Sequence, residues 1–170
     1  MLNKEVYALN KEVYLVGKGL SLDYLTAEQF PHDYPIICIN ESCQKIHSLG
    51  LPNRIIGCCK EAIPKEHICP YVDEIWTTQQ NHFDTATIIP DTHGYETVNV
   101  CIDHLIKQNV KIVHALAFDY FCNGSNKYTR TVRRSIIKDG DEPILNLTMQ
   151  TVLKQKIIFN VVNTVRLIHE

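Results

Sequence analysis

The chain has 170 residues, 45% of them hydrophobic and 21% charged, proportions that suit one globular domain with a full core. A formal net charge of −2 argues against a surface built for nucleic acid or anionic membrane, and no apolar run reaches the roughly 18 to 20 residues a bilayer span needs. The N-terminal MLNKEVYALNKEVYLVG lacks a basic stretch followed by an apolar core, so no leader is expected, and seven irregularly spaced cysteines fit reduced thiols in a cytoplasm better than a disulfide framework.

The chain begins with a short duplication, LNKEVY at 2–7 and again at 9–14. Only the second copy runs into the apolar VYLVG, so Val13–Val16 is the expected first strand. Residues 1–8 are then an extension, an edge strand or an arm onto a second copy in a homo-oligomer. GKGLSLDYL follows, where Gly17 and Gly19 allow a tight turn with close backbone approach and Ser21 can cap a short helix. This is half of a dinucleotide fingerprint, with Leu22 in place of the third glycine, and a plain strand-to-helix turn accounts for it equally. Pro35 introduces a second strand, Ile36–Asn40, whose carboxyl end is the polar Asn40-Glu41-Ser42. Arg54–Gly57 is the expected third strand, with Cys58 and Cys59 beyond its end. Ile75–Thr78 is the fourth, and residues 79–89 are irregular.

The most informative stretch runs from Pro90 to Tyr128. PDTHG ends in a glycine where a helix should begin, and Val98, Cys101, Ile102 and Leu105 then fall at i, i+3, i+4 and i+7, with Asn109 as a stop signal. Lys111–Ala117 (KIVHALA) is a fifth strand. It leads into FDYFCNGSNKY, where Asp119, Tyr120, Asn123, Ser125 and Tyr128 can reach a ligand. The only basic run, Arg130, Arg133, Arg134 and Lys138, follows directly and reads as a solvated face or a phosphate or partner contact. Pro143–Gln155 is helical by the spacing of Leu145, Met149 and Val152, and Ile157–Val162 closes the sheet. Strands alternating with helices predict one α/β domain over 1–170, Rossmann-like, with a mostly parallel sheet and helices on both faces.

Eight histidines and seven cysteines invite a metal reading, yet Cys38-x4-Cys43, Cys58-Cys59 and His67-x-Cys69 lack a second half of any zinc site, so no metal and no cofactor is expected. No cysteine stands out as a nucleophile. Thr92-His93-Gly94 opens the long helix, where free N–H groups and the helix dipole favour an anion, or where Thr92 or Asp91 simply caps the helix.

In order, these stretches give strand–G-x-G-x-S-L, strand–C-x-N, T-x-G opening a helix, and strand–x-D-aromatic-aromatic-x-N-G-S. That succession, over most of Val13–Tyr128, resembles the bacterial lipooligosaccharide sialyltransferases that use CMP-sialic acid, and more loosely the pterin-pyrophosphokinase-like group. The resemblance implies that Gly17, Gly19 and Ser21 line the phosphate and sugar side of a nucleotide and that Asn40 contacts cytidine or its ribose. It implies further that Gly94 faces the transferred group or base, that Asp119, Tyr120 and Phe121 sit against the nucleotide, and that Tyr128 lies near the phosphate.

The departures from that family are specific. Lys18 and Leu20 stand where the family has asparagine and proline, which would let Lys18 meet a phosphate directly. His93 replaces a serine. The family's general base is a histidine in a lid after the D-aromatic-aromatic motif, whereas Thr129–Glu142 is short, arginine-rich and free of histidine. A transferase needs a base within hydrogen-bond reach of its acceptor, and here that would fall to His93 or His114. The expectation is therefore a binder of a nucleotide-type small molecule without turnover. It would sense or sequester a nucleotide signal, as small phage anti-defence proteins do with immune second messengers. The alternatives are an active glycosyltransferase using a CMP-sugar with His93 as base, and a protein interaction module with a vestigial site.

Overall fold

Short apolar runs separated by turn residues become the strands of a single sheet. The computed structural model describes residues 10–91, 97–118 and 158–161. Its strands are β1 (Glu12–Val16), β2 (Ile36–Ile39), β3 (Ile55–Cys59), β4 (Glu74–Thr77), β5 (Thr87–Ile88), β6 (Ile112–Leu116) and β7 (Ile158–Val161). The α-helices are α1 (Cys43–Ser48) and α2 (Thr97–Lys107). The strands lie side by side in the order β5-β4-β3-β2-β1-β6-β7, and every pairing is parallel. This is the expected α/β Rossmann-like architecture.

Parallel strands covered on both faces need apolar side chains at consecutive positions, and β2 (IICI) is buried throughout. Alternation then divides the core in two. Val13, Leu15, Ile37 and Val113 pack on one face with Val98, Cys101, Ile102 and Leu105 of α2. Tyr14, Val16, Ile36 and Cys38 pack on the other with Cys43 and Ile46 of α1. The α2 stripe is the one its spacing predicts, and Asn109 ends it in the left-handed region at φ 62°.

Four local expectations change. β3 runs on to Cys59, so Cys58 and Cys59 are buried strand residues and do not lie beyond its end. Thiols here behave as small apolar groups, and burial raises the pKa of Cys59. A strand, β5, lies within 79–89; its two residues pair with Trp76 and Thr77 but are too few to make a pattern. Ser21 caps nothing, because Gly19 occupies the cap position of the 3-10 helix Leu20–Tyr24 and Ser21 lies buried inside it. Asn40 leaves the strand, opening a 3-10 turn (Asn40–Ser42) at φ 50°. The expected helix at 143–155 lies outside the described residues.

The C-terminal end of α2 rests on β4 through His104, whose ring meets Trp76 edge-on at 4.5 Å. Burial lowers the pKa of His104, helped by nearby Lys107. The folded state therefore disfavours the charged ring, and this contribution is fully present above the unfolded value of about 6.5 and is lost as pH falls through the folded pKa. The melting temperature should fall with acidification in that window, and His104→Leu should flatten that part of the profile. A wild-type slope retained by the variant would refute the assignment.

Candidate functional site

From β1 the chain builds outward through β2, β3, β4 and β5, then returns to place β6 on the other side of β1. The seam between β1 and β6 is thus the point where strand order reverses. In an open parallel sheet the loops at the carboxyl ends diverge there and leave a crevice. Register aligns Val16 with Cys38 and with Leu116, so Gly17, Asn40 and Ala117 step off the sheet together.

The glycine turn after β1 is shaped by β6. A Cβ on Gly17 would lie 2.7 Å from the Ala117 carbonyl oxygen and 3.0 Å from the Phe118 ring. The Gly17 N–H donates to the Leu116 carbonyl at 2.9 Å, and the Gly19 N–H donates to the Ala117 carbonyl at 2.8 Å. Ala117 accepts this bond from a left-handed conformation, φ 60°. Both glycine donors are engaged with the neighbouring strand exit, so the close approach that Gly17 permits is protein against protein.

Lys18, between the two glycines, extends to β2. Its Nζ lies 2.9 Å from Oε2 of Glu41, with the lysine side chain 11% exposed and the glutamate fully buried. The next residue, Ser42, donates from Oγ to the Val16 carbonyl at 3.1 Å. Two polar contacts thus tie the β2 turn to the end of β1. The pairing also balances charge at the crevice: the lysine that the sequence offers to a phosphate has a carboxylate against it. Asn40, at the end of β2, contributes a buried Oδ1 acceptor with no partner.

The first turns of α2 border the same edge. Thr97 donates from Oγ1 to Glu61 Oε2 at 3.1 Å, just past the end of β3, and Lys60 Nζ is 3.7 Å from Asp91. Thr97, Val98, Asn99, Val100, Cys101 and Ile102 are all buried. Asn99 has no exposed surface, and neither its Nδ2 nor its Oδ1 has a partner. Leaving a buried polar group unsatisfied costs about 1–3 kcal/mol. Nothing in the sequence marks this residue, since an asparagine beside an apolar stripe normally faces water.

Of the sequence candidates, Gly17, Lys18, Gly19 and Ser21 follow the carboxyl end of β1 and Asn40 follows that of β2. Thr92, His93, Gly94, Asp119, Tyr120, Phe121, Asn123, Ser125 and Tyr128 lie outside the described residues, as does the arginine cluster 130–134. β6 itself ends at Leu116, beside Val16 at the seam. His114 lies elsewhere. It is mid-strand in β6, beside Tyr14 in register, stacked on Tyr34 at 5.8 Å, with Nε2 3.8 Å from Glu12 Oε1 at the start of β1. A hydrogen bond with the Glu12 carboxylate, then burial, pushes the Tyr34 phenol up to about 12. This group belongs to the sheet face near the amino ends of the strands, away from the crevice. Among the described residues no cluster of His, Cys, Asp or Glu could hold a metal ion, the six cysteines are free, and no helix is long and apolar enough to cross a membrane.

At this edge Lys18 and Glu41 form an ion pair, the Gly17 and Gly19 N–H groups are engaged, and Asn40 Oδ1 is buried without a partner. Searches against protein-family models, curated proteins and solved structures gave no match.

Proposed function

We propose that the chain binds a nucleotide or a nucleotide-derived small molecule at the β1/β6 crevice and holds it without turnover, sensing or sequestering a nucleotide signal. The observation that carries this reading is the reversal of strand order at β1/β6, with Gly17, Lys18, Asn40 and the exit of β6 gathered at its carboxyl edge. Parallel α/β sheets take their ligands at such a point. The absence of turnover rests on the bases available. His114 lies against Tyr34 and Glu12, and the other histidine the sequence offers as a base is His93.

The test is a thermal-shift panel of CMP, CMP-sialic acid, ADP-ribose, NAD and cyclic di- and trinucleotides, followed by chromatography of the recovered ligand. A binder present at a hundred times its Kd should raise Tm by roughly 5–11 °C for a domain of this size. Recovery of that ligand intact is the expected result. CMP-sialic acid returned as CMP would instead establish a transferase, and His93→Ala should then abolish turnover while nucleotide affinity survives. No shift with any compound would leave the interaction-module reading.

A further inference from the structure

Asn99 belongs to this crevice by helix geometry. Thr97 reaches Glu61 beyond β3, and His104 packs on Trp76 of β4, so these two residues define the flank of α2 that faces β3 and β4. At 100° per residue Asn99 lies about 200° from Thr97. It therefore occupies the opposite flank, toward β2, β1 and β6. It sits in the first turns of the helix, which the Thr97–Glu61 bond places at the carboxyl edge of the sheet. Ile106, on the same flank two turns later, packs into the core on this face. Phe118 joins that core from the end of β6.

An enclosed side-chain amide with both a free donor and a free acceptor is complementary to one kind of chemical edge. That edge must carry an acceptor beside a donor, as the edge of a nucleobase does. Asn40 Oδ1 adds a second unsatisfied acceptor at the same end of the sheet.

We propose that Asn99 is a specificity-determining residue that hydrogen-bonds the donor–acceptor edge of a nucleobase at the β1/β6 crevice. This rests on the nucleotide-binding reading above and adds to it that the base, not only the sugar or phosphate, is read, and from the α2 side.

The experiment compares the wild-type chain with Asn99→Leu, titrating AMP, CMP, GMP and UMP with ribose 5-phosphate as a base-free control. For the nucleotide the wild type binds best, the variant should lose about ten- to hundredfold in affinity. Ribose 5-phosphate should bind both proteins equally weakly, and the ligand-free variant should melt no lower than the wild type. Equal nucleotide affinity in the two proteins would overturn the proposal while leaving nucleotide binding intact. A ligand-free variant that melts lower without losing affinity would do the same by showing a structural partner for the amide. Failure of the wild type to bind any of the four would overturn the proposal, while the nucleotide-binding reading would stand or fall on the wider ligand panel. Should the variant not fold, the side-chain amide resonance of Asn99 in the 15N-labelled wild type decides. It should shift with saturating nucleotide and stay in place with ribose 5-phosphate; no shift with nucleotide overturns the proposal.

Discussion

Lys18→Met is expected to destabilise the fold by about 3–5 kcal/mol, the usual consequence of removing one partner from a buried ion pair. Glu41 has no exposed surface and its Oε2 lies 2.9 Å from the lysine Nζ, so its carboxylate would lose an ion-pair partner in a place water does not reach. Glu41→Gln should cost less, because Lys18 keeps some exposure and an amide oxygen can still accept its hydrogen bond. The double change Lys18→Met with Glu41→Leu should recover most of the loss, since apolar replacement of a whole buried pair is often close to neutral. Urea midpoints for the three variants make the comparison. A loss below about 1 kcal/mol for Lys18→Met, the range of exposed pairs, would mean that the pair is solvated and that the lysine is available to a phosphate after all.

Gly17→Ala is expected to cost about 1–3 kcal/mol through overpacking, or roughly 2–12 °C in Tm for a chain of this length. The added methyl would meet a backbone oxygen at 2.7 Å, and that oxygen already accepts the Gly19 N–H, so relief requires moving the β6 exit or the β1 turn. Either movement deforms the crevice, so the response to the ligand panel should weaken along with stability. Gly50→Ala separates this crowding from backbone strain. Gly50 has φ 64° and open space around its Cα, so its substitution should carry only the conformational penalty and leave ligand response unchanged. A Gly17→Ala protein as stable as the wild type would show that the β6 exit gives way freely.

The architecture was legible because its signals are local and repeated. Strands β1, β2, β4, β6 and β7 were each expected to within a residue or two, and α2 by the spacing of Val98, Cys101, Ile102 and Leu105, all now buried. The boundary of β3 was misplaced because the strand was ended at Gly57, when the thiols that follow it in a parallel strand are as apolar as their neighbours. β5 is two residues long and takes its structure from β4 alone. The site was legible only as a set of loop positions. That Lys18 meets Glu41 depends on the register of β1 against β2, which no spacing rule supplies. Asn99 was invisible for a related reason: its burial comes from enclosure of the whole first part of α2, and an amphipathic pattern describes one stripe only.

The seam that forms the crevice joins Val16 to Leu116, two positions separated by most of the described chain. Contacts so distant in sequence must overcome a large loop-closure entropy and form slowly, so β1 cannot receive its second neighbour until the intervening strands have assembled. The crevice is thus a product of complete folding and has no locally formed precursor.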